Sequence, residues 1–147
     1  VTTTAEMKAE VLISLEQYPH YVSSAAIGDF SFETSSEKIK KETMPSELSI
    51  KYEDDILKAV LKNKFLKKVV GFAAESELTE SMLSKKFTNK PVDLLIGTKV
   101  NSGLLKNTTV EGFANSDAEY LILDTDKKFT KINMSKTELA KFIVDRV

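Results

Sequence analysis

Four short segments each set a polar or charged group at the end of an apolar run. They are Ala25-Ala26-Ile27-Gly28-Asp29-Phe30, Lys38-Ile39-Lys40-Lys41, Gly71-Phe72-Ala73-Ala74-Glu75 and Pro91-Val92-Asp93-Leu94-Leu95-Ile96. In an open α/β sheet, the ends of apolar strands are where chemistry is done. Lys86 and Lys90 add two cations four residues apart, on one face of an expected helix. Cations at strand and helix tips can shield a polyanionic ligand, and Phe72 can lie against a flat ring. On spacing alone other readings stay open: a solvated charge run at 38–41, surface lysines at 86 and 90, a turn aspartate at Asp29, a core phenylalanine at Phe72.

The composition narrows the chemistry. The chain has 147 residues, 41% hydrophobic and 29% charged, with a net charge of -1. That fits one domain with a real core and gives no global field to recruit nucleic acid. Cysteine is absent and histidine occurs once, as His20. A disulfide framework, a cysteine-ligated metal and a multi-histidine zinc site are therefore excluded, and no metal ligands are assigned. His20, beside Pro19, reads as a turn residue. No apolar run approaches the roughly 20 residues needed to span a bilayer, and the N-terminus has no signal-peptide pattern. The expected setting is cytoplasmic, without membrane contact.

The elements that would position these groups follow from periodicity and capping. Thr3-Thr4-Ala5-Glu6 forms a capping box, followed at helical spacing by Met7, Val11, Leu12 and Leu15. Pro19 ends that helix, and Tyr21 to Ala26 is expected as a short buried strand, turned out at Gly28. Residues 31–47 are rich in Ser, Thr, Lys and Glu and read as a mobile excursion. Leu48 to Tyr52 alternates like a strand. Asp54 or Asp55 caps a helix whose buried side carries Ile56, Leu57, Val60 and Leu61. Lys68 to Ala74 is a second buried strand, Ser76 caps the next helix, and Val92 to Gly97 is a third strand. Glu119 to Leu123 and Lys128 to Ile132 flank a polar turn as a hairpin. Ser135-Lys136-Thr137-Glu138 is a second capping box, with Met134 and Leu139 placed for a hydrophobic staple.

Alternating elements argue for an α/β fold, Rossmann-like, with a mostly parallel sheet flanked by helices and a C-terminal β-hairpin. A chain of this class that opens on a helix suggests that a first strand-loop-helix unit lies upstream. None of the five glycines forms G-x-G-x-x-G or G-x-x-x-x-G-K, which argues against an NAD-linked oxidoreductase.

The four segments, in this order and spacing, resemble the phosphopantothenate–cysteine ligase family, the synthetase half of the bifunctional coenzyme A biosynthesis flavoprotein. The resemblance covers nearly the whole chain and implies that residues 1–147 are one partial ligase domain, without the family's N-terminal glycine-rich part. It implies ligation of 4'-phosphopantothenate to cysteine through an acyl-nucleotidylate, with CTP or ATP as co-substrate and Mg2+ present. FMN would belong only to a fused decarboxylase. Such chemistry needs positive charge where phosphate charge accumulates, and rigid positioning of the reacting carboxylate.

By the resemblance, Lys38 is the catalytic candidate and handles the acyl-nucleotidylate, while Lys40 and Lys41 begin a flap. The implied nucleotide-binding set is Ser23, Ser24, Ala25, Asp29, Lys38, Phe72, Lys86 and Lys90. Asp29 matches the acid of A-A-V-A-D-Y, and Gly71-Phe72-Ala73-Ala74-Glu75 is identical to G-F-A-A-E. Departures occur at Glu53-Asp54-Asp55-Ile56, where the family has N-P-D-I, and at Gly97-Thr98-Lys99-Val100, where it has A-N-D-V. Gly112 to Glu119 keeps most of G-F-G-S-D-x-N-E, with Asp117 and Glu119 expected to fix the loop before the hairpin. Family members dimerise, so a homodimer is implied, with the hairpin and residues 31–47 as candidate contacts. The isolated piece is expected to be inactive. The alternative is a degenerate nucleotide-binding or dimerisation module without ligase activity.

Overall fold

The computed structural model describes residues 1–32, 40, 46–47, 49–100 and 117–147. Lys38, Lys41, most of the expected excursion, and Gly112 to Ser116 lie outside the described residues.

The two capping boxes are both formed. Thr3 caps α1 (Thr4–Ser14): its hydroxyl accepts from the Glu6 amide, and the Glu6 carboxylate accepts from the Thr2 and Thr3 amides. Ser135 and Glu138 make the same exchange at the start of α4 (Lys136–Val144). These amides have no partner within the helix, so a reciprocal cap fixes where each helix begins. In both boxes the carboxyl sits below its ordinary value, because backbone amides hydrogen-bond its charged form.

The main sheet has five strands, β1 (His20–Ser23), β4 (Lys68–Glu75), β5 (Leu94–Lys99), β6 (Asp117–Asp124) and β7 (Phe129–Ser135), side by side in that order. β1, β4 and β5 run parallel; β6 and β7 return antiparallel as the expected hairpin. Two further strands, β2 (Phe30–Phe32) and β3 (Ile50–Tyr52), form a separate antiparallel ribbon, with Phe30 opposite Tyr52 and Phe32 opposite Ile50.

Alternation along the strands sends residues to two cores. Val69, Ala73, Leu95, Leu121 and Leu123 meet α1, α2 (Ile56–Val60) and α3 (Glu80–Asn89) on one face. Val70, Ile96, Tyr120, Ile122 and Met134 meet Leu139 and Ile143 of α4 on the other. Burying each of the large aliphatics here is worth about 1.5–3 kcal/mol. The pair placed for the staple, Met134 and Leu139, is buried in that second core. Asp93 fastens the amino ends of β4 and β5, where its carboxylate accepts from the Val69 amide and from Lys68 Nζ, both at 2.9 Å.

Several expectations are corrected. β1 ends at Ser23, and it is half-exposed rather than buried, because among the described residues it pairs only with β4, at the end of the sheet. The Ser24 amide turns back to the Val22 carbonyl and takes the chain out of the sheet. Thr79, not Ser76, caps α3: β4 runs on to Glu75, whose carbonyl accepts from the Val100 amide, so the chain is still extended where a cap at Ser76 was expected. Of the two acids expected to cap α2, Asp55 does so, through the Lys58 amide. β3 alternates without burying either face.

Candidate functional site

The carboxyl ends of β1, β4 and β5 open into a cleft of about 490 Å³. Its lining runs from Ser23 to Asp29 after β1, through Phe72 and Ala74 of β4 and Thr98 of β5, to Tyr120 of β6. The start of α2 supplies Asp55, Ile56 and Leu57; the first turn of α4 supplies Lys136 and Leu139. Ligands in open α/β sheets bind outside these strand ends.

Six of the eight residues expected to bind the nucleotide line this cleft: Ser23, Ser24, Ala25, Asp29, Phe72 and Lys90. Phe72 is 36% exposed, unusual for a strand residue between two packed neighbours, and it lines the cleft. Lys86 is not in the lining. Its ammonium is paired with the Glu75 carboxylate at 2.6 Å, at the tip of β4 and one residue beyond Ala74 of the lining. Lys38 lies outside the described residues.

Asp55 is the electrostatic pivot. One oxygen accepts from the Lys58 amide at 3.0 Å, and the other pairs with Lys90 Nζ at 2.6 Å. Burial pushes the Asp55 carboxyl up, but the Lys90 hydrogen bond, the Lys58 amide and both lysine charges outweigh it and leave it below the ordinary value. The α2 cap therefore also holds Lys90, the residue that ends α3 and lines the cleft. The acids that replace the family's N-P-D-I pattern are similarly engaged: Glu53 accepts from the Ser31 hydroxyl, and Asp54 pairs with Lys8 of α1 at 2.7 Å.

Sequence reasoning did not include Thr98, Tyr120, Lys136 or Leu139 in the site. β6 and α4 bring the last three in from far along the chain. Thr98 carried a signal, since it stands in the stretch that departs from A-N-D-V. Among the described residues, no group of three or more histidine, cysteine or acidic side chains is placed to hold a metal ion. Nor is any helix among them long and apolar enough to cross a membrane.

A cleft at the strand ends of a helix-flanked, mainly parallel sheet defines an α/β domain of the Rossmann-like class. The chain belongs to a family within it: residues 1–147 match the model for the DNA/pantothenate metabolism flavoprotein C-terminal domain. The coenzyme A biosynthesis bifunctional protein CoaBC of Escherichia coli (strain K12) is 36% identical over 135 residues, 86% of this chain and 32% of that protein. CoaBC of Bacillus subtilis (strain 168) is 32% identical over 103 residues, 69% of this chain and 25% of that protein. The chain thus spans about a quarter to a third of these curated relatives. Among solved structures, the C-terminal domain of a CoaBC protein matches 99% of this chain and 61% of its own, with a TM-score of 0.67 at 18% identity. A Cab2 mutant in complex with phosphopantothenate-cysteine matches 84% of this chain and 42% of its own, with a TM-score of 0.51 at 15% identity. These structural likenesses carry the fold.

Proposed function

We propose that this chain forms most of the nucleotide side of a phosphopantothenate–cysteine ligase, acting in coenzyme A biosynthesis with CTP or ATP as co-substrate. The observation that carries this reading is the convergence of Ser23, Ser24, Ala25, Asp29, Phe72 and Lys90 on one cleft at the strand ends. Family membership and the named relatives support it. In this reading, Phe72 supports the base, and backbone groups at 23–25 together with Asp29 contact the nucleoside. Lys90 exchanges Asp55 for a phosphate oxygen when the ligand enters, and Lys38 handles the acyl-nucleotidylate. Lys86, in the last turn of α3, reaches phosphate only by leaving Glu75. Magnesium, when present, would neutralise triphosphate charge; among the described residues no group of three or more acids is placed to hold it. The proposed setting is cytoplasmic, with 4'-phosphopantothenate and cysteine as the other substrates.

A homodimer is part of the proposal. Phe30, Phe32, Ile50 and Tyr52 share one exposed face of the β2–β3 ribbon, and Tyr52 is 85% exposed. A two-stranded ribbon is marginal by itself, and an apolar face of this kind marks an interaction site.

The second reading, a nucleotide-binding or dimerisation module without ligase activity, is favoured by one observation. The described cleft lining has Asp29, Glu53, Asp54 and Asp55 against only Lys90 and Lys136, a balance unfavourable to a polyanion.

Titration with CTP and ATP, with pyrophosphate release measured in the presence of phosphopantothenate, cysteine and magnesium, tests the proposal. Micromolar to millimolar nucleotide binding with little or no turnover by this chain alone is expected. Lys90→Gln should weaken binding about tenfold and Lys86→Gln by less. Absence of binding would refute the nucleotide reading, and rapid turnover would refute the expected incompleteness of the site.

A further inference from the structure

One wall of the cleft has no place in the reading above. Ala74, Thr98 and Tyr120 are register partners across β4, β5 and β6, so their side chains leave the sheet on the same face, the one that α4 packs against. Tyr120 is 4% exposed, and its ring is packed in the α4 core. Its hydroxyl has no hydrogen-bond partner among the described residues, and neither does that of Thr98. No side-chain oxygen among the described residues is both sealed from solvent and unpaired, so the small accessible part of Tyr120 includes its hydroxyl. Tyr120 and Thr98 both line the cleft.

A hydroxyl that solvent reaches and no described protein group engages is free to bond an incoming ligand in place of water. Burial pushes the Tyr120 phenol up from its ordinary value, so it keeps its proton and remains a donor throughout the neutral range. Phe72 lies two strands away and one pleat along, about 12 Å between Cα atoms by strand geometry. Both side chains leave the same face of the sheet, at a separation that accommodates one flat ring.

We infer that the Tyr120 and Thr98 hydroxyls read the polar edge of the ring carried on Phe72, and so set which heteroaromatic bases the cleft accepts. This deepens the nucleotide reading and rests on it. Thr98 stands in the stretch where this chain departs from A-N-D-V, and Tyr120 is its partner across the sheet, so the wall is a property of this chain. A hydroxyl both donates and accepts. Two of them can answer the amino group and ring nitrogen of cytosine or of adenine, so the wall tolerates either base and discriminates against a ring that lacks a polar edge.

The test is calorimetric titration of the 147-residue chain with CTP, ATP and inorganic tripolyphosphate, comparing the parent with Tyr120→Phe and, separately, Thr98→Val. Each variant should bind both nucleotides about five- to tenfold more weakly, the loss of one hydrogen bond, and tripolyphosphate as the parent does. Unchanged nucleotide affinity in both variants overturns the inference and leaves the nucleotide reading standing. An equal loss for tripolyphosphate also overturns it, because the hydroxyls would then serve the fold or the phosphates. A parent chain that binds neither nucleotide removes the functional reading and this inference together.

Discussion

Replacing Gly97 by alanine restores the residue of the A-N-D-V pattern, yet the packing predicts that it destabilises this chain. A Cβ built on Gly97 would lie 2.5 Å from Leu78 Cδ1, 2.8 Å from Leu83 Cδ1 and 3.2 Å from the Leu121 carbonyl oxygen. The carbonyl belongs to β6 beside it and cannot move without disturbing the sheet. Leu83 is fully buried on α3, whereas Leu78 is half-buried and can swing aside. Overpacking of this kind costs about 1–3 kcal/mol, against which alanine regains about 0.5–1 kcal/mol of backbone entropy. A net loss of about 1.5 kcal/mol is expected, lowering Tm by about 3–6 °C in a chain of this size. Thermal unfolding followed by circular dichroism measures it. Leu78→Ala should cost less in the Gly97→Ala background than in the parent, because it removes the nearer obstruction. A Gly97→Ala variant as stable as the parent, or strict additivity with Leu78→Ala, would refute the packing argument.

Two further outcomes are expected. Asp55 holds its proton less tightly in the folded chain than its ordinary value of 3.8 implies. Its stabilising contribution is complete above that value and is lost as pH falls through the lower folded one. Asp55→Asn keeps a capping side chain and removes the charge, so Tm against pH should fall less steeply below about pH 4; a curve parallel to the parent's would count against the Lys90 pairing. Tyr52→Glu, which puts a charge on the exposed ribbon face, should shift sedimentation toward the monomer without lowering Tm by more than about 2 °C. Unchanged sedimentation of a dimeric parent would move the interface elsewhere.

What the sequence disclosed, it disclosed through local chemistry. Thr3 with Glu6 and Ser135 with Glu138 are four-residue motifs whose energetics involve only their own turn, and both formed as read. The β6–β7 hairpin and the type and order of the larger strands were legible for the same reason. Boundaries that depend on a distant partner were not. The extent of β4 past Ala74 follows from the Val100 amide, and the exposure of β1 from its place at the sheet's end. The ribbon strand β2 was hidden inside a polar stretch; its only sign was the alternation of Phe30 and Phe32. In the cleft, Phe72 toward the carboxyl end of β4 and Asp29 in the segment that follows β1 could be anticipated, because the class of fold fixes where strand ends go. Tyr120 and Lys136 could not, since only the reversal of β6 and β7 carries them there. Nor could the different fates of Lys86 and Lys90, expected on one helix face: α3 ends at Asn89, Lys90 leaves helical geometry as its C-cap, and the acids that capture the two lysines, Glu75 and Asp55, come from other elements.

The sheet's change of direction at β5 has a kinetic corollary. β6, β7 and α4 follow one another with a tight turn between the strands, so little chain entropy is lost in assembling them. Uniting β1 with β4 must close the long connection from Ser23 to Lys68, and closures of that range come late. The cleft draws one wall from each half, which makes its complete form a product of the final stage of assembly.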